Sequence, residues 1–372
     1  MSQLSKIIKE EIALQGVIPF ARFMELALYC PDYGFYEKES DTVGRAGDFY
    51  TSVSVGSLFG ELLAFQFADW LAAMPREKFQ IVEAGAHDGK LAADILNWLR
   101  EHRADLFERL EYVILEPSVK RRAWQEERLK DFAGRVQWQT GFSSAEAEFS
   151  GVIFANELLD AMPVRRLGWD LAQREWFEWG VTWSDGNFKW TKIAAGTVAE
   201  LADLPVELLE VLPDNFTTEI SPAAEAWWRR AAWSLRAGYL ITADYGLRAE
   251  EFFLPARAQG TLRAYRRHRV TTDLLDDPGT QDLTAHVNFS HLRRVGEAAG
   301  LKTIQLVDQG SFIARAAANF WTEAQKVGRW SAKQNRELQT LMHPEHLGRA
   351  FKVLVQSRGV RAELTDERSG NL

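Results

Sequence analysis

The chain has 372 residues, of which 46% are hydrophobic and 26% are charged, and its formal net charge is -8. This composition excludes general disorder and suffices for one large domain or two modest ones, at about 150 residues each. The acidic balance argues against a broad nucleic-acid-binding face, so we expect no nucleic-acid partner. The single cysteine, Cys30, excludes a disulfide framework and a cysteine-based zinc site.

The N-terminus and the apolar runs bear on location. No apolar run approaches the roughly 20 residues of a membrane-spanning helix. Residues 1–16 lack the apolar core of a signal peptide and carry acidic residues, which transit peptides avoid. We therefore expect a cytoplasmic protein without a membrane span.

The N-terminal part has the patterns of helices separated by loops. Residues 2–15, 20–29 and 57–74 each predict a helix, the last strongly apolar and closed by Pro75. The loop before the third helix includes Gly47–Ser52, which we interpret as a flap that closes over a ligand or, equally, as a plain surface loop. We expect residues 1–75 to form a helical extension with this loop.

The segment 79–100 predicts the first unit of a nucleotide-binding type of α/β fold. An apolar run at 79–82 indicates a buried strand, a small-residue loop follows at 84–89, and an amphipathic helix comes next. Glycines in such a loop let a ligand approach the backbone, and the helix N-terminus offers free N–H groups. A tight turn without a ligand stays open as the alternative.

Strands and helices then alternate, which predicts a parallel sheet with helices on both faces. Further strands are predicted at 112–116, 136–139, 151–155, 238–246, 301–307 and 351–356. A tryptophan-rich hairpin around Asp185-Gly186 interrupts them. We expect an α/β core over 76–360, an insertion at about 165–235, and a flexible tail at 361–372.

Acidic residues follow the first two core strands. Glu83, Gly85 and Gly89 fit the outer positions of the E-x-G-x-G-x-G pattern of methyltransferases, with His87 in place of the middle glycine. The G-x-G-x-x-G fingerprint of nicotinamide oxidoreductases is absent, which disfavours that class. Glu116 ends the second strand, where a carboxylate can accept hydrogen bonds from ribose hydroxyls. An ordinary solvated strand end is the alternative.

A third group of polar residues follows the fourth strand, where ligands bind in open α/β sheets. It contains Asn156, Glu157 and Asp160. The two acids share a face if this segment is a helical turn, and paired carboxylates suit a guanidinium. Acids that merely decorate a helix N-terminus are the alternative. His268 and His286 show no metal-ligand spacing, so we expect no metal.

Several longer motifs point to one family. They are GDFYTSVSVGSLFGELLA (47–64), NELLDAMPV (156–164), SPAAEAWW (221–228), ADYG (243–246), GTLRAYRRHR (260–269) and DLTAHVNF (282–289). They resemble the MidA family, which includes the mitochondrial complex I assembly-factor protein arginine methyltransferase. The resemblance covers nearly the whole chain.

The resemblance implies a class I methyltransferase fold, Rossmann-like, with a mostly parallel seven-stranded sheet, and S-adenosyl-L-methionine as cofactor. It implies that Asn156, Glu157 and Asp160 form an acceptor site for an arginine of a protein. By analogy with the mitochondrial member, this protein would be a subunit of a respiratory complex. It implies cofactor contacts from Gly47, Asp48, Phe49, Thr51, Ser52, Glu83, Gly85, His87, Gly89, Glu116 and Pro117.

The chain departs from the family pattern at three places. The family loop E-L-G-P-G-R-G-T is replaced by EAGAHDGK at 83–90, which puts His87 where the family has glycine. The family's T-S-P-E and H-V-D-F are TSVS at 51–54 and HVNF at 286–289, and each change removes an acid. A catalytically weak or inactive scaffold protein on a methyltransferase fold is therefore the alternative function.

Overall fold

The computed structural model describes residues 2–38, 51–143, 147–202, 204–266, 269–271, 273–324 and 330–360. The helices are α1 (Gln3–Gln15), α2 (Phe20–Tyr29), α3 (Ser52–Val55), α4 (Leu58–Ala72), α5 (Lys90–His102), α6 (Ala104–Phe107), α7 (Val119–Arg128), α8 (Ala199–Ala202), α9 (Val206–Val211), α10 (Pro222–Ser234), α11 (Phe289–Ala298), α12 (Gln309–Ala324) and α13 (Ala332–Met342). The strands are β1 (Ile18–Pro19), β2 (Phe79–Ala84), β3 (Leu110–Leu115), β4 (Val136–Gln139), β5 (Phe149–Asn156), β6 (Arg165–Asp170), β7 (Glu175–Ser184), β8 (Asn187–Ala194), β9 (Thr217–Ile220), β10 (Leu235–Leu247), β11 (Arg263–Arg266), β12 (Arg269–Thr271), β13 (Asp282–Thr284), β14 (Val287–Asn288), β15 (Lys302–Asp308) and β16 (Phe351–Arg358).

The chain divides into two compact units. The first unit comprises Met1–Ser54, Glu157–Ala226 and Asp244–His291, and the second comprises Val55–Asn156, Trp227–Ala243 and Leu292–Leu372. These limits differ from the boundaries at residue 75 and at about 165–235 that the sequence suggested, and the latter stay a prediction. Within the described ranges, no helix is both long and apolar enough to cross a membrane.

The second unit is built on one large sheet with the strand order β15-β16-β10-β5-β2-β3-β4. The pairs from β10 to β4 are parallel, and β15 pairs with β16 antiparallel. The seven strands of this order are the predicted ones, so the mostly parallel sheet is confirmed. The short strand β14 pairs parallel with β10 as an eighth strand. Its central strands β2 and β5 are buried along nearly their whole length, as expected for strands covered on both faces.

Helix α4 covers the centre of this sheet. The Trp70 ring stacks on Tyr239 of β10 at 4.3 Å, and Phe67 lies 5.3 Å from Phe154 of β5. The parallel strands β5 and β2 approach closely at Gly151. A Cβ atom at this position would overlap the carbonyl group of Gln80, so the approach requires glycine. The apolar pattern of residues 57–74 thus reflects a helix packed on the sheet.

The first unit is mainly antiparallel. A five-stranded sheet has the order β1-β7-β6-β9, with β8 added to β7, and a smaller sheet has the order β12-β11-β13. The predicted hairpin is confirmed as β7 and β8, joined at Asp185 and Gly186, both of which have positive φ as a two-residue hairpin turn requires. Its tryptophans serve packing: Trp190 lies 5.0 Å from Phe20 of α2.

Candidate functional site

The glycine-rich loop lies where the sequence placed it, between β2 and α5 in the second unit. Gly85, His87 and Gly89 have positive φ angles of 77°, 47° and 81°, so alternate residues are left-handed. The Gly89 N–H closes a turn on the Ala86 carbonyl at 2.7 Å. His87 holds a conformation that favours glycine, and non-glycine residues in such conformations concentrate at functional sites.

The side chain of His87 lies beside polar and aromatic neighbours of the same unit. Its Nδ1 is 3.9 Å from Asp88 Oδ1, and its ring centroid is 6.4 Å from that of Trp124. One third of the side chain is exposed. The loop therefore accommodates the imidazole without burying it.

Glu83 occupies the end of β2 and is buried. Its Oε2 accepts a hydrogen bond from the Tyr112 hydroxyl at 2.6 Å. Burial raises the pKa of Glu83 to about 8; the Tyr112 hydrogen bond opposes this shift, and the charges of Asp88 and Asp94 add to it. The carboxyl group is therefore largely protonated at neutral pH and can form hydrogen bonds as an uncharged group.

Glu116 follows β3 and is only 4% exposed, so the alternative of a solvated strand end is wrong. Oε1 accepts from the Ser118 N–H at 2.8 Å and from the Arg121 guanidinium at 2.9 Å and 3.0 Å. Oε2 accepts from Gln125 at 2.9 Å. Pro117 lies between Glu116 and Ser118 in the chain. The Ser118 hydroxyl caps α7 by accepting a 3.3 Å hydrogen bond from the Arg121 N–H.

Gln125 connects Glu116 with the glycine-rich loop, and it was not predicted from the sequence. It is fully buried, and its Nε2 donates to Glu116 Oε2 and to the His87 carbonyl, both at 2.9 Å. Its Oε1 accepts from Trp138 Nε1 at 2.9 Å. The sequence does contain a signal for this contact, because Arg121 and Gln125 are spaced i, i+4 and therefore share a face of the helix that follows Glu116.

The acidic residues after β5 belong to the first unit, and their conformation differs from the expectation. Glu157 has a φ of 51°, and the segment is a bend rather than a helical turn. The reason is tertiary: Asp244 accepts hydrogen bonds from the N–H groups of Leu158 at 3.1 Å and Leu159 at 2.8 Å. The predicted helical turn is wrong, and so is the alternative of a helix N-terminus.

Four carboxyl groups come together in the first unit. Asp160 is buried, and its pKa is raised by burial and then by the charges of Asp244, Asp282 and Glu157. Burial also raises the pKa of Asp244 to about 7, although backbone N–H groups stabilise its charged form. A hydrogen bond joins the carboxyl groups of Asp160 and Asp244. Because the N–H groups favour ionised Asp244, the shared proton belongs on Asp160.

Tyrosines line this acidic cluster, defined here as Glu157, Asp160, Asp244 and Asp282. The Tyr36 hydroxyl donates to Asp282 Oδ1 at 2.8 Å. Burial raises the pKa of Tyr245, and Glu157 and the neighbouring Tyr265 raise it further. Asp244 and Asp282 were not identified from the residues, yet each lies in a family motif, ADYG or DLTAHVNF.

The remaining predicted residues are placed as follows. Gly47, Asp48 and Phe49 lie outside the described residues. Thr51 and Ser52 are described and buried, and the Ser52 N–H donates to Glu157 Oε1 at 3.0 Å. Their contact with the cofactor stays a prediction.

Asn156 is the last residue of β5 and pairs in register with Ala243 of β10. It therefore lies at the carboxyl end of the parallel strands, as predicted. Glu157, the first residue of the acidic cluster, follows it directly in the chain.

Comparison with known proteins gives this arrangement a family. Residues 62–307, more than half of the chain, match the family model described as "Putative S-adenosyl-L-methionine-dependent methyltransferase". The chain belongs to this family. It is thus an S-adenosylmethionine-dependent methyltransferase, and the resemblance to the MidA family is confirmed.

Curated relatives and one solved structure cover nearly the whole chain. The mitochondrial protein arginine methyltransferase NDUFAF7 homolog of Drosophila melanogaster is 28% identical over 98% of this chain and 87% of its own. NDUFAF7 of Mus musculus is 28% identical over 92% and 81%. A Burkholderia thailandensis protein solved bound to S-adenosyl-homocysteine is 33% identical, with a TM-score of 0.84 over 96% of this chain and 92% of that one. The predicted fold and cofactor are confirmed.

Proposed function

We propose that this methyltransferase transfers its methyl group to an arginine side chain of a protein. The observation that carries the proposal is the acidic cluster, in which burial and the charges of three neighbouring carboxyl groups raise the pKa of Asp160. A guanidinium relieves this repulsion, because it stays charged and presents several N–H donors in a planar fork that matches carboxylates. The arginine methyltransferase names of the relatives support this acceptor.

The second unit offers groups suited to the cofactor. Glu116 would accept hydrogen bonds from ribose hydroxyls, because a carboxylate has about four acceptor positions. The backbone between Gly85 and Gly89 would take the part of the cofactor that approaches most closely. The bound cofactor supplies an electrophilic methyl group.

The chain's own residues would bind the acceptor and manage its proton. Glu157 and Asp160 would accept N–H bonds from the guanidinium and hold one nitrogen in place, and Asn156 would help to position it. Burial and the neighbouring charges raise the pKa of Asp160, and binding of a cation would lower it again and favour release of the proton. An ionised carboxylate of the cluster would then accept the proton that the arginine nitrogen loses as it gains the methyl group.

The cellular location and the identity of the substrate protein are also parts of this proposal. The cytoplasmic location rests on the sequence, whereas the curated relatives are mitochondrial proteins. A respiratory-complex subunit as substrate rests on the family resemblance.

The test is methylation of arginine-containing peptides with isotope-labelled S-adenosylmethionine, read by mass spectrometry at the modified residue. We expect label on arginine and none on lysine in matched peptides. Label on another residue type, or none despite bound cofactor, would refute arginine as acceptor.

His87 supports a second candidate, a scaffold protein with the methyltransferase fold but little activity. It brings a side chain and a positive φ to a loop position where the family has glycine. Titration calorimetry with S-adenosylhomocysteine decides between the two. Binding at micromolar ligand supports the enzyme, and no heat at millimolar ligand together with a stably copurified partner supports the scaffold.

A further inference from the structure

The first unit contains a cavity whose lining residues lie outside the acidic cluster. Its volume is about 480 Å³, within the range of about 300–1,000 Å³ for small-ligand pockets. It is lined by two arginines, two tryptophans and aliphatic side chains, chiefly Arg166, Arg263, Trp179, Trp190, Leu262 and Leu274. Such a lining suits an anion carried on an apolar stem.

One of the two arginines already has a carboxylate partner. Arg166 Nε lies 3.4 Å from Glu219 Oε1, and both side chains are nearly buried. Arg166 also donates to the Gln259 carbonyl at 3.0 Å, and Glu219 Oε2 accepts from the Thr261 N–H at 2.6 Å. Glu219 therefore balances the charge of Arg166 and fixes it in the wall.

The other arginine supplies the excess charge. Arg263 is exposed, and its guanidinium donates to the Leu262 carbonyl at 2.8 Å. Across the described ranges, no carboxylate forms a salt bridge with Arg263. The cavity thus holds one positive charge more than its described lining neutralises.

The tryptophans provide apolar walls beside these charges. The Trp190 ring lies 4.8 Å from the Arg166 guanidinium carbon and 6.2 Å from Trp179. Trp179 Nε1 is occupied by Thr217 Oγ1 at 3.2 Å. With its polar atom occupied, the indole presents a flat apolar face to the cavity, against which methylene groups can pack.

The position of Arg263 relates this cavity to the acidic cluster. Arg263 and Tyr265 are two residues apart on β11, so they share a face of the small sheet at a spacing of about 6.6 Å. Tyr265 pairs in register with Asp282 of β13. Burial raises the pKa of Tyr265, Arg263 lowers it, and Asp160 and Asp282 raise it, so Tyr265 lies within electrostatic reach of both regions.

We propose that the cavity binds an acidic side chain of the protein substrate, located two residues from the acceptor arginine. An extended peptide repeats every two residues with about the same 6.6 Å spacing and places both side chains on one face. The arginine would then meet the acidic cluster while the acid meets Arg263. This inference rests on the proposed arginine acceptor, and glutamate suits it better than aspartate because its stem is longer.

The test compares kcat/KM on arginine peptides that carry Glu, Ala or Lys two positions from the arginine, on either side. The full-length wild-type protein should prefer Glu over Lys by about tenfold, the effect of one charge-assisted contact. Arg263→Glu should reverse the preference, and Arg263→Gln should remove it. Arg266→Glu is the control for the charge change, since it makes the same substitution three residues later on β11, on the opposite face, where Arg266 pairs with Asp276 and Asp277.

Each failure has its own reading. Equal rates on the three peptides, or equal effects of Arg263→Glu and Arg266→Glu, would overturn this inference and leave the arginine acceptor standing. Absence of methylation on every arginine peptide would overturn the proposed acceptor and this inference with it.

Discussion

Two buried carboxyl side chains, one in each unit, have opposite surroundings. In the second unit, Glu116 accepts hydrogen bonds from Arg121, Gln125 and a backbone N–H group. In the first unit, Asp160 lies among other carboxyl groups, and both burial and these neighbours raise its pKa.

The difference shows how one residue type serves two purposes. Carboxylates with donors built around them are rigid acceptors and keep their geometry before any ligand binds. Carboxyl groups crowded together resist ionisation, so they gain most from a cation that arrives from outside. The first arrangement suits a neutral sugar hydroxyl and the second suits a guanidinium.

The largest expected effect comes from the acidic cluster. Glu157→Gln keeps an oxygen for the Ser52 N–H but removes a charge, so kcat should fall by roughly 10²–10³-fold while cofactor affinity is unchanged. Steady-state kinetics and calorimetry measure the two quantities. Glu175→Gln, an exposed change on β7, is the control and should leave kcat intact. A loss of cofactor binding in Glu157→Gln would mean that this residue serves the cofactor.

Asp244 tests whether the same cluster also shapes the backbone. Asp244→Ala leaves the N–H groups of Leu158, Leu159 and Tyr245 without their acceptor, so the free energy of unfolding should fall by about 3 kcal/mol. Urea denaturation followed by tryptophan fluorescence measures it. The control Asp214→Ala removes an acceptor from an exposed turn and should cost less than about 1 kcal/mol. Equal stabilities of the two variants would contradict the anchoring role.

A substitution at Glu116 tests the proposed cofactor contacts of the second unit. Glu116→Gln should weaken S-adenosylhomocysteine binding about thirtyfold, or about 2 kcal/mol, because a charged acceptor becomes a neutral one. Glu111→Gln, on the strand that Glu116 follows and outside the proposed cofactor contacts, is the control for calorimetry. Unchanged affinity in Glu116→Gln would remove this residue from the cofactor site.

The last effect, and the smallest for a single step of the measurement, is the dependence of stability on pH that Glu83 causes. Its folded pKa of about 8 exceeds the ordinary value of 4.5, so its contribution to stability is complete below pH 4.5 and is lost as pH rises toward 8. Relative to Glu83→Gln, the wild-type protein should lose up to about 1.4 kcal/mol per pH unit across this window. Denaturation midpoints of both proteins at pH 5, 6, 7 and 8 check it. A constant difference would show that Glu83 does not change protonation on folding.

Local pattern was sufficient for much of the fold. The helices at 20–29 and 57–74 and the hairpin around Asp185-Gly186 followed from periodicity and turn chemistry, which act within a few residues. The positions of Glu83 and Glu116 at the ends of their strands followed from the alternation of strand and helix.

The wrong and missing parts involve partners far apart in the chain. The bend at Glu157 depends on Asp244, which lies more than 80 residues later and reaches it because β10 pairs beside β5. Gln125 joins Glu116 to the His87 carbonyl because α7 returns over the glycine loop. No local propensity encodes such contacts.

The sequence by itself determined the strands of the large sheet, the glycine loop and the family motifs, because each of these depends on residues that are close together in the chain. Only the tertiary structure decided that Asp160, Asp244 and Asp282 share one acidic cluster and that Glu116 is enclosed by donors. The physical reason is the strand order, which brings the ends of sequence-distant strands together and thereby sets which donors or charges surround each buried carboxyl group.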